Sequence, residues 1–191
     1  AGHHQWCSDT ARVRAYPKRG VSGAILERAE RLGVLRVLNP SLRGDGWLAG
    51  RFEQARQKGV SDPMLYLLLV IYRLTEEESE RLITRLNISG ELARNVRRVL
   101  KLKRDLHSLA ATGLAPSATY KMLKHYPHQV LVACALASYN AAARSQLELY
   151  LDRLRYVKSS LDGEDLKRMG VPPGPRLGRM LKALHEAKLD N

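Results

Sequence analysis

The side chains in this chain best suited to chemistry are cationic. From Gly90 to Thr112 the sequence reads as one long helix, in which Arg94, Arg97, Arg98, Lys101 and Arg104 recur three or four residues apart. At about 100° per residue they share one face, with Leu92, Val96, Val99, Leu106 and Leu109 roughly opposite. No acidic residue interrupts the stretch from Asn95 to Arg104. Like charges at these spacings cost a few tenths of a kcal/mol per pair. A row of phosphates would offset that cost, because a guanidinium can grip phosphate oxygens with two parallel hydrogen bonds. Lys103 falls on the apolar side of the wheel and is expected to reach the surface along its own stem.

The groups that make or break bonds are absent as sets. Two-metal phosphoryl transfer needs carboxylates that clamp both ions, and no Gly-Ser followed by Asp-x-Asp occurs. His107, His125, His128 and His185 lie on separate segments without a His-Glu-x-x-His pattern. The two cysteines, Cys7 and Cys134, form no zinc-type pair. Cys134 sits in the apolar run Val130 to Ala137 and reads as a small core residue. Trp47 and Trp6 could stack on bases, but Trp47 at a helix start reads as core. Tyr120, Tyr126, Tyr139 and Tyr150 read as packing residues with wet hydroxyls.

Composition points the same way. The 191 residues hold 32 Lys and Arg against 19 Asp and Glu, a formal +13. An excess of that size favours a polyanionic partner. The apolar runs, Leu67 to Tyr72 and Val130 to Ala137 among them, are far short of a membrane span. His3, His4, Ser8, Asp9 and Arg12 interrupt the N-terminus, so no secretory leader is read there, and the His pair resembles a purification-tag remnant. A cytoplasmic protein is expected.

Helical punctuation organises almost the whole chain. Residues 1–21 read as irregular. A first helix is expected from about Gly23 to Leu32 with Ser22 as cap, followed by an apolar connector, Val34 to Leu42, stopped by Pro40. Gly44-Asp45-Gly46 reads as a turn before a helix from Trp47 to Lys58. Ser61-Asp62-Pro63 starts the next helix, and Thr75 with Glu78 forms a capping box for another. Ser89 opens the long basic helix. Pro116 and Pro127 start two more, and an amphipathic helix is expected from Ala141 to about Ser159. Short helices from Gly163 to Met169 and from Pro175 to about Lys188 complete the chain. The reading is an all-α array of about ten helices, divided at 22–113, 114–160 and 161–191, the last a helical hairpin.

That hairpin carries the second cationic feature. Gly174 precedes Pro175, which suits a first helical position. The helix then begins with free backbone N–H groups, a ready anion site. Arg176 and Arg179 fall on its outer face, and Leu177, Leu181 and Leu184 on its inner one.

The same tail carries a resemblance. Leu161, Gly163, Asp165, Leu166, Gly170, Pro173, Gly174, Pro175, Leu177, Gly178 and Leu181 form a pattern similar to the C-terminal motif of bacterial tRNA nucleotidyltransferases, the group of CCA-adding, A-adding and poly(A) polymerase enzymes. Leu32-Gly33-Val34-Leu35 with Leu38-Asn39-Pro40-Ser41-Leu42 resembles the neck region of that family. Pro116-Ser117 ahead of Tyr120 and Leu123 resembles its body region. Together the likeness covers roughly residues 22–191 and lies nearest the long branch that carries CBS domains.

The resemblance implies that a catalytic head elsewhere in the parent chain binds Mg2+ and CTP or ATP, and that this chain holds no cofactor. It also implies that these helices hold the acceptor stem and TΨC arm of tRNA. Glu164-Asp165-x-x-Arg168 matches the spacing of the family's nucleotide template, but it sits in the tail rather than the neck and is not read as a selector. The expected RNA-binding residues are therefore Arg94, Arg97, Arg98, Lys101, Arg104, Gly174, Arg176 and Arg179. Two other readings fit the basic helices. One is a DNA-binding module, although Asn95 is the lone base-reading side chain on the long helix; the other is a module that docks an acidic protein.

Overall fold

A computed structural model of the protein describes residues 21–60 and 62–191. The expectations for residues 1–20, including Trp6, Cys7 and the His pair, lie outside the described residues, as does Ser61. Eleven α-helices and one 3-10 turn occur, with no strand among the described residues. The all-α architecture expected from the punctuation is the one observed.

The centre of the array is α8 (His128–Ala137). Every residue from Val130 to Ala137 is buried. A helix apolar on all sides has no solvent face and must be surrounded. It is packed by α3 (Gly46–Gln57), α4 (Pro63–Ile71), α6 (Gly90–Leu109) and α9 (Ala141–Asp152). Small side chains at Ala133, Cys134 and Ala137 let these neighbours come close. Burial also pushes the Cys134 thiol far up from its ordinary range, so it remains a neutral packing group. Around α8 the core runs from Leu48 in α3 to Leu189 in α11 (Pro175–Asp190).

Caps set the helix starts. Asp62 accepts a hydrogen bond from the Met64 N–H and is followed by Pro63 in the first turn of α4. Thr75 and Glu78 form the expected capping box at α5 (Glu76–Arg85). Glu78 also accepts from the Ser41 hydroxyl, and this contact leads the causes that lower its carboxyl pKa. The buried Asn39 uses its side-chain oxygen to take the Ser41 N–H at 2.8 Å. The Asn39–Ser41 corner is thereby tied to the start of α5.

Four local details differ from the reading of the sequence. Residue 22 lies inside α1 (Val21–Arg31), which starts earlier than expected. The connector contains a short helix, α2 (Val34–Leu38), because Gly33 resets the chain at φ 73 and its carbonyl then accepts from the Val37 N–H. Asp45, read as part of a turn, is the N-cap of α3 and accepts from Leu48. Its neighbour Gly44 has no room for a side chain, since a Cβ would lie 2.4 Å from the Leu26 carbonyl oxygen.

The fourth difference is at α9, which stops at Asp152 rather than near Ser159 and tightens into the 3-10 turn Leu154–Tyr156. There the Val157 carbonyl takes a hydrogen bond from His185 of α11 at 3.0 Å. That carbonyl is engaged by a tertiary contact rather than by a further helical turn.

Lys103 does not run out to solvent. It is half-buried, and its ammonium donates to the Tyr72 and Leu74 carbonyls at 3.0 and 3.4 Å, at the end of α4. A cation there meets the negative end of the helix dipole.

The capping box gives a measurable expectation. Thr75→Ala should lower stability by about 1 kcal/mol, which for a chain of this size lowers the melting temperature by about 2–4 °C. Acid should act through the same contacts. Glu78 and Glu80 have pKa values held below their ordinary 4.5, by Ser41 and Arg97 respectively. Their contribution is present above that value and is lost as the pH falls through the lowered folded value. Urea midpoints measured between pH 7 and pH 3 should stay level at first and drop below about pH 4.5.

Candidate nucleic-acid interface

The long helix α6 is amphipathic as read. Val96, Val99, Leu102, Leu106 and Leu109 are buried, while Arg94, Arg97, Lys101 and Arg104 are exposed and Arg98 is intermediate. Asn95 is fully buried, so it cannot read a base edge. Twenty residues make a rod about 30 Å long, enough to lie along several phosphates.

The structure divides the basic stripe in two. Arg97 donates twice to the Glu80 carboxylate, at 2.6 and 2.8 Å, and Arg104 donates to Glu76 at 2.8 Å. Glu76 and Glu80 stand one turn apart on α5 and meet α6 in reverse order, so the two helices run antiparallel there. The like-charge cost inferred from α6 alone is therefore partly offset by a neighbouring helix. Arg94 and Lys101 stand in none of the ion pairs formed among the described residues. Arg98 donates to the Asn95 side-chain oxygen at 3.2 Å.

Arg98 and Lys101 face a cleft of about 390 Å³, lined also by Leu102, Asp105, Met122, His125 and Tyr126. Along α6 its lining runs from the cations Arg98 and Lys101 through Leu102 to Asp105. Asp105 is the opposing charge. Tyr126 has its hydroxyl pKa raised, by burial first and then by Asp105. A phosphate would therefore be held at the Arg98–Lys101 end.

The far wall of this cleft follows from α7 (Pro116–Leu123), which is braced from behind by α11. Tyr120 meets His185 edge to face at 4.8 Å, Lys121 pairs with Glu186 at 2.9 Å, and the Ser117 N–H donates to Asp190 at 2.8 Å.

The tail residues form a separate group. After α10 (Gly163–Arg168), Gly174 takes φ 150 and starts α11 with no side-chain cap, as the sequence suggested. Leu177 and Leu181 pack over Gly163, and with Leu184 they are half-buried rather than fully inside. Arg176 and Arg179 are exposed. The chance match Glu164-Asp165-x-x-Arg168 is engaged within its own helix: Asp165 closes the capping box with Asp162 and pairs with Arg168. Among the described residues no three His, Cys, Asp or Glu side chains gather as a metal-holding group. No helix among them is long and apolar enough to cross a membrane.

The reading of α6 in isolation missed Glu76 and Glu80, although their spacing of four on one helix against seven on the other was there to be matched. Tyr139, read as a packing residue, is 71% exposed.

The fold and this face describe an all-helical array with one long cationic helix and a cationic tail. No family model matches the chain, and no curated protein does. Among solved structures, a CCA-adding enzyme in complex with CTP shares the fold, with TM-score 0.58 and 18% identity over 86% of this chain. The chain spans 41% of that enzyme's length.

The two halves of the stripe can be told apart. On a phosphate-holding stripe, Arg94→Ala with Lys101→Ala should weaken RNA binding with little change in the thermal melt, because both side chains are exposed and stand in no ion pair among the described residues. Glu76→Gln with Glu80→Gln frees Arg97 and Arg104. That variant should bind RNA more tightly, with a salt slope steeper by about one for each new phosphate contact. Titrations at several salt concentrations read both effects.

Proposed function

We propose that this chain is the RNA-holding helical part of a tRNA nucleotidyltransferase, gripping the acceptor stem and TΨC arm through phosphates. The observation that carries the reading is the fold shared with a CCA-adding enzyme over 86% of the chain. Sequence supports it independently, through the tail pattern from Leu161 to Leu181. The formal charge of +13 and the Arg98–Lys101 end of the cleft supply the electrostatics.

In this reading Arg98, Lys101 and Arg94 make the first phosphate contacts, since they are least engaged by the protein itself. Arg97 and Arg104 join by exchanging Glu80 and Glu76 for phosphate. Gly174, Arg176 and Arg179 form a second contact at the uncapped start of α11. Binding reads the shape and backbone of the RNA more than its sequence.

Nucleotide addition belongs to a catalytic head in the parent protein, with Mg2+ and CTP or ATP bound there. The residues described here do not fit such a site, because no carboxylate group converges to clamp metal ions. The family, its bacterial branch and a cytoplasmic location all belong to the same proposal.

The test is a titration of the chain against a tRNA minihelix and a length-matched DNA duplex at two salt concentrations. The reading predicts preference for the minihelix, with affinity falling steeply as salt rises. Equal binding to both, or none to either, would remove the RNA-holding role from this chain.

A further inference from the structure

A second surface lies at the other end of the central helix. The cleft is next to the chain entering α8, at His125 and Tyr126, whereas Tyr139 follows its last turn. Between them stand the ten residues of α8, about 15 Å of helix.

Three aromatic rings step outward there from the core. Tyr72 is buried, Trp47 is half-buried, and Tyr139 is exposed. Trp47 lies nearly parallel to both, with centroids 6.4 Å from Tyr72 at 27° and 6.1 Å from Tyr139 at 29°. Guanidinium groups surround the stack: Arg73 and Arg51 sit 5.1 and 5.5 Å from the Trp47 ring centre. Arg73 is paired with Asp45. Arg51 has no carboxylate partner among the described residues. It donates from one terminal nitrogen to Gln54, and its Nε is buried without any partner.

The Tyr139 turn is fixed on both sides. Ser138 is buried; its hydroxyl accepts from the Asn140 N–H at 3.2 Å, and its carbonyl accepts from Arg144. Asn140 in turn caps α9 through the Ala143 N–H. Tyr139 is thus an exposed ring on a rigid corner, backed by the Trp47 ring that carries Arg51 and Arg73, with Arg144 bound to the carbonyl just before it. An exposed ring lowers its free energy by covering its face. The surrounding positive charge selects a flat partner that carries negative charge. A nucleobase joined to its own phosphate has both properties, and such stacking tolerates any base.

We propose that Tyr139, with Trp47 behind it and Arg51 against that Trp47 ring, is a stacking platform for an unpaired nucleotide of the bound RNA. The inference rests on the RNA-holding reading and adds a site for single-stranded nucleotides outside the α6 face.

The test compares a blunt minihelix with the same minihelix carrying a four-nucleotide 3′ overhang, both titrated against the full chain. Tyr139→Ala should weaken binding of the overhang RNA about ten-fold and leave the blunt RNA unchanged. Tyr139→Phe should retain the wild-type affinity. Tyr139→Leu, which keeps Trp47 covered but removes the ring, should behave like the alanine variant and guards against a folding defect. If Tyr139→Ala and Tyr139→Leu bind the overhang RNA as wild type does, while the blunt RNA still binds, the platform is overturned and the RNA-holding reading survives. Equal loss on both RNAs also overturns it. If wild type binds neither RNA, both readings fall together.

Discussion

The arrangement depends on burying α8 on every side. Its run from Val130 to Ala137 has no polar face to offer water, so α3, α4, α6 and α9 must enclose it. Each of those helices is then committed to face inward with its apolar stripe and outward with its charge. The basic side of α6 is exposed because Val99, Leu102 and Leu106 are held inward. The two ends of α8 also fix the two surface features. Its entry places His125 and Tyr126 beside Arg98 and Lys101, and its exit places Tyr139 beside Trp47.

Electrostatics refine that picture. The excess of positive charge is not spread as free cations over one face. Glu76 and Glu80 take up Arg104 and Arg97 on one flank, while Arg98 and Lys101 remain toward the cleft. Exposed ion pairs of this kind contribute little to stability, so a phosphate can replace the carboxylate at small cost. In the proposed RNA-holding role, Arg97 and Arg104 are then a reserve that strengthens binding once RNA is in place. The α11 contacts matter for the same reason. Lys121–Glu186 and Ser117–Asp190 hold α7, and α7 holds one wall of the cleft.

Much of this was legible in the residues. Asp62-Pro63 and Thr75 with Glu78 marked helix starts because capping chemistry is local. The inner and outer faces of α6 followed from spacing alone. What escaped was tertiary. The Glu80–Arg97 pair needs two helices brought side by side, which neither helix reveals alone. The early end of α9 is followed by the 3-10 turn Leu154–Tyr156 and by a bond from His185, almost thirty residues away, to the Val157 carbonyl, none of which the local spacing contains. Lys103 was expected at the surface because its wheel position says nothing of the Tyr72 and Leu74 carbonyls that hold it. Tyr139 reads as packing in the sequence because periodicity carries no information on exposure at a turn.

The central claim is that RNA lies against the cleft face of α6, and lysine reactivity tests it directly. Lys101 is exposed and in no ion pair among the described residues, whereas Lys58 is exposed and paired with Glu148 at 3.3 Å. Acetylation of each, read by mass spectrometry with and without saturating tRNA minihelix, needs no substitution. Strong protection of Lys101 with Lys58 unchanged is the predicted result. Undiminished acetylation of Lys101 at saturation would place the RNA elsewhere on the molecule and contradict the account.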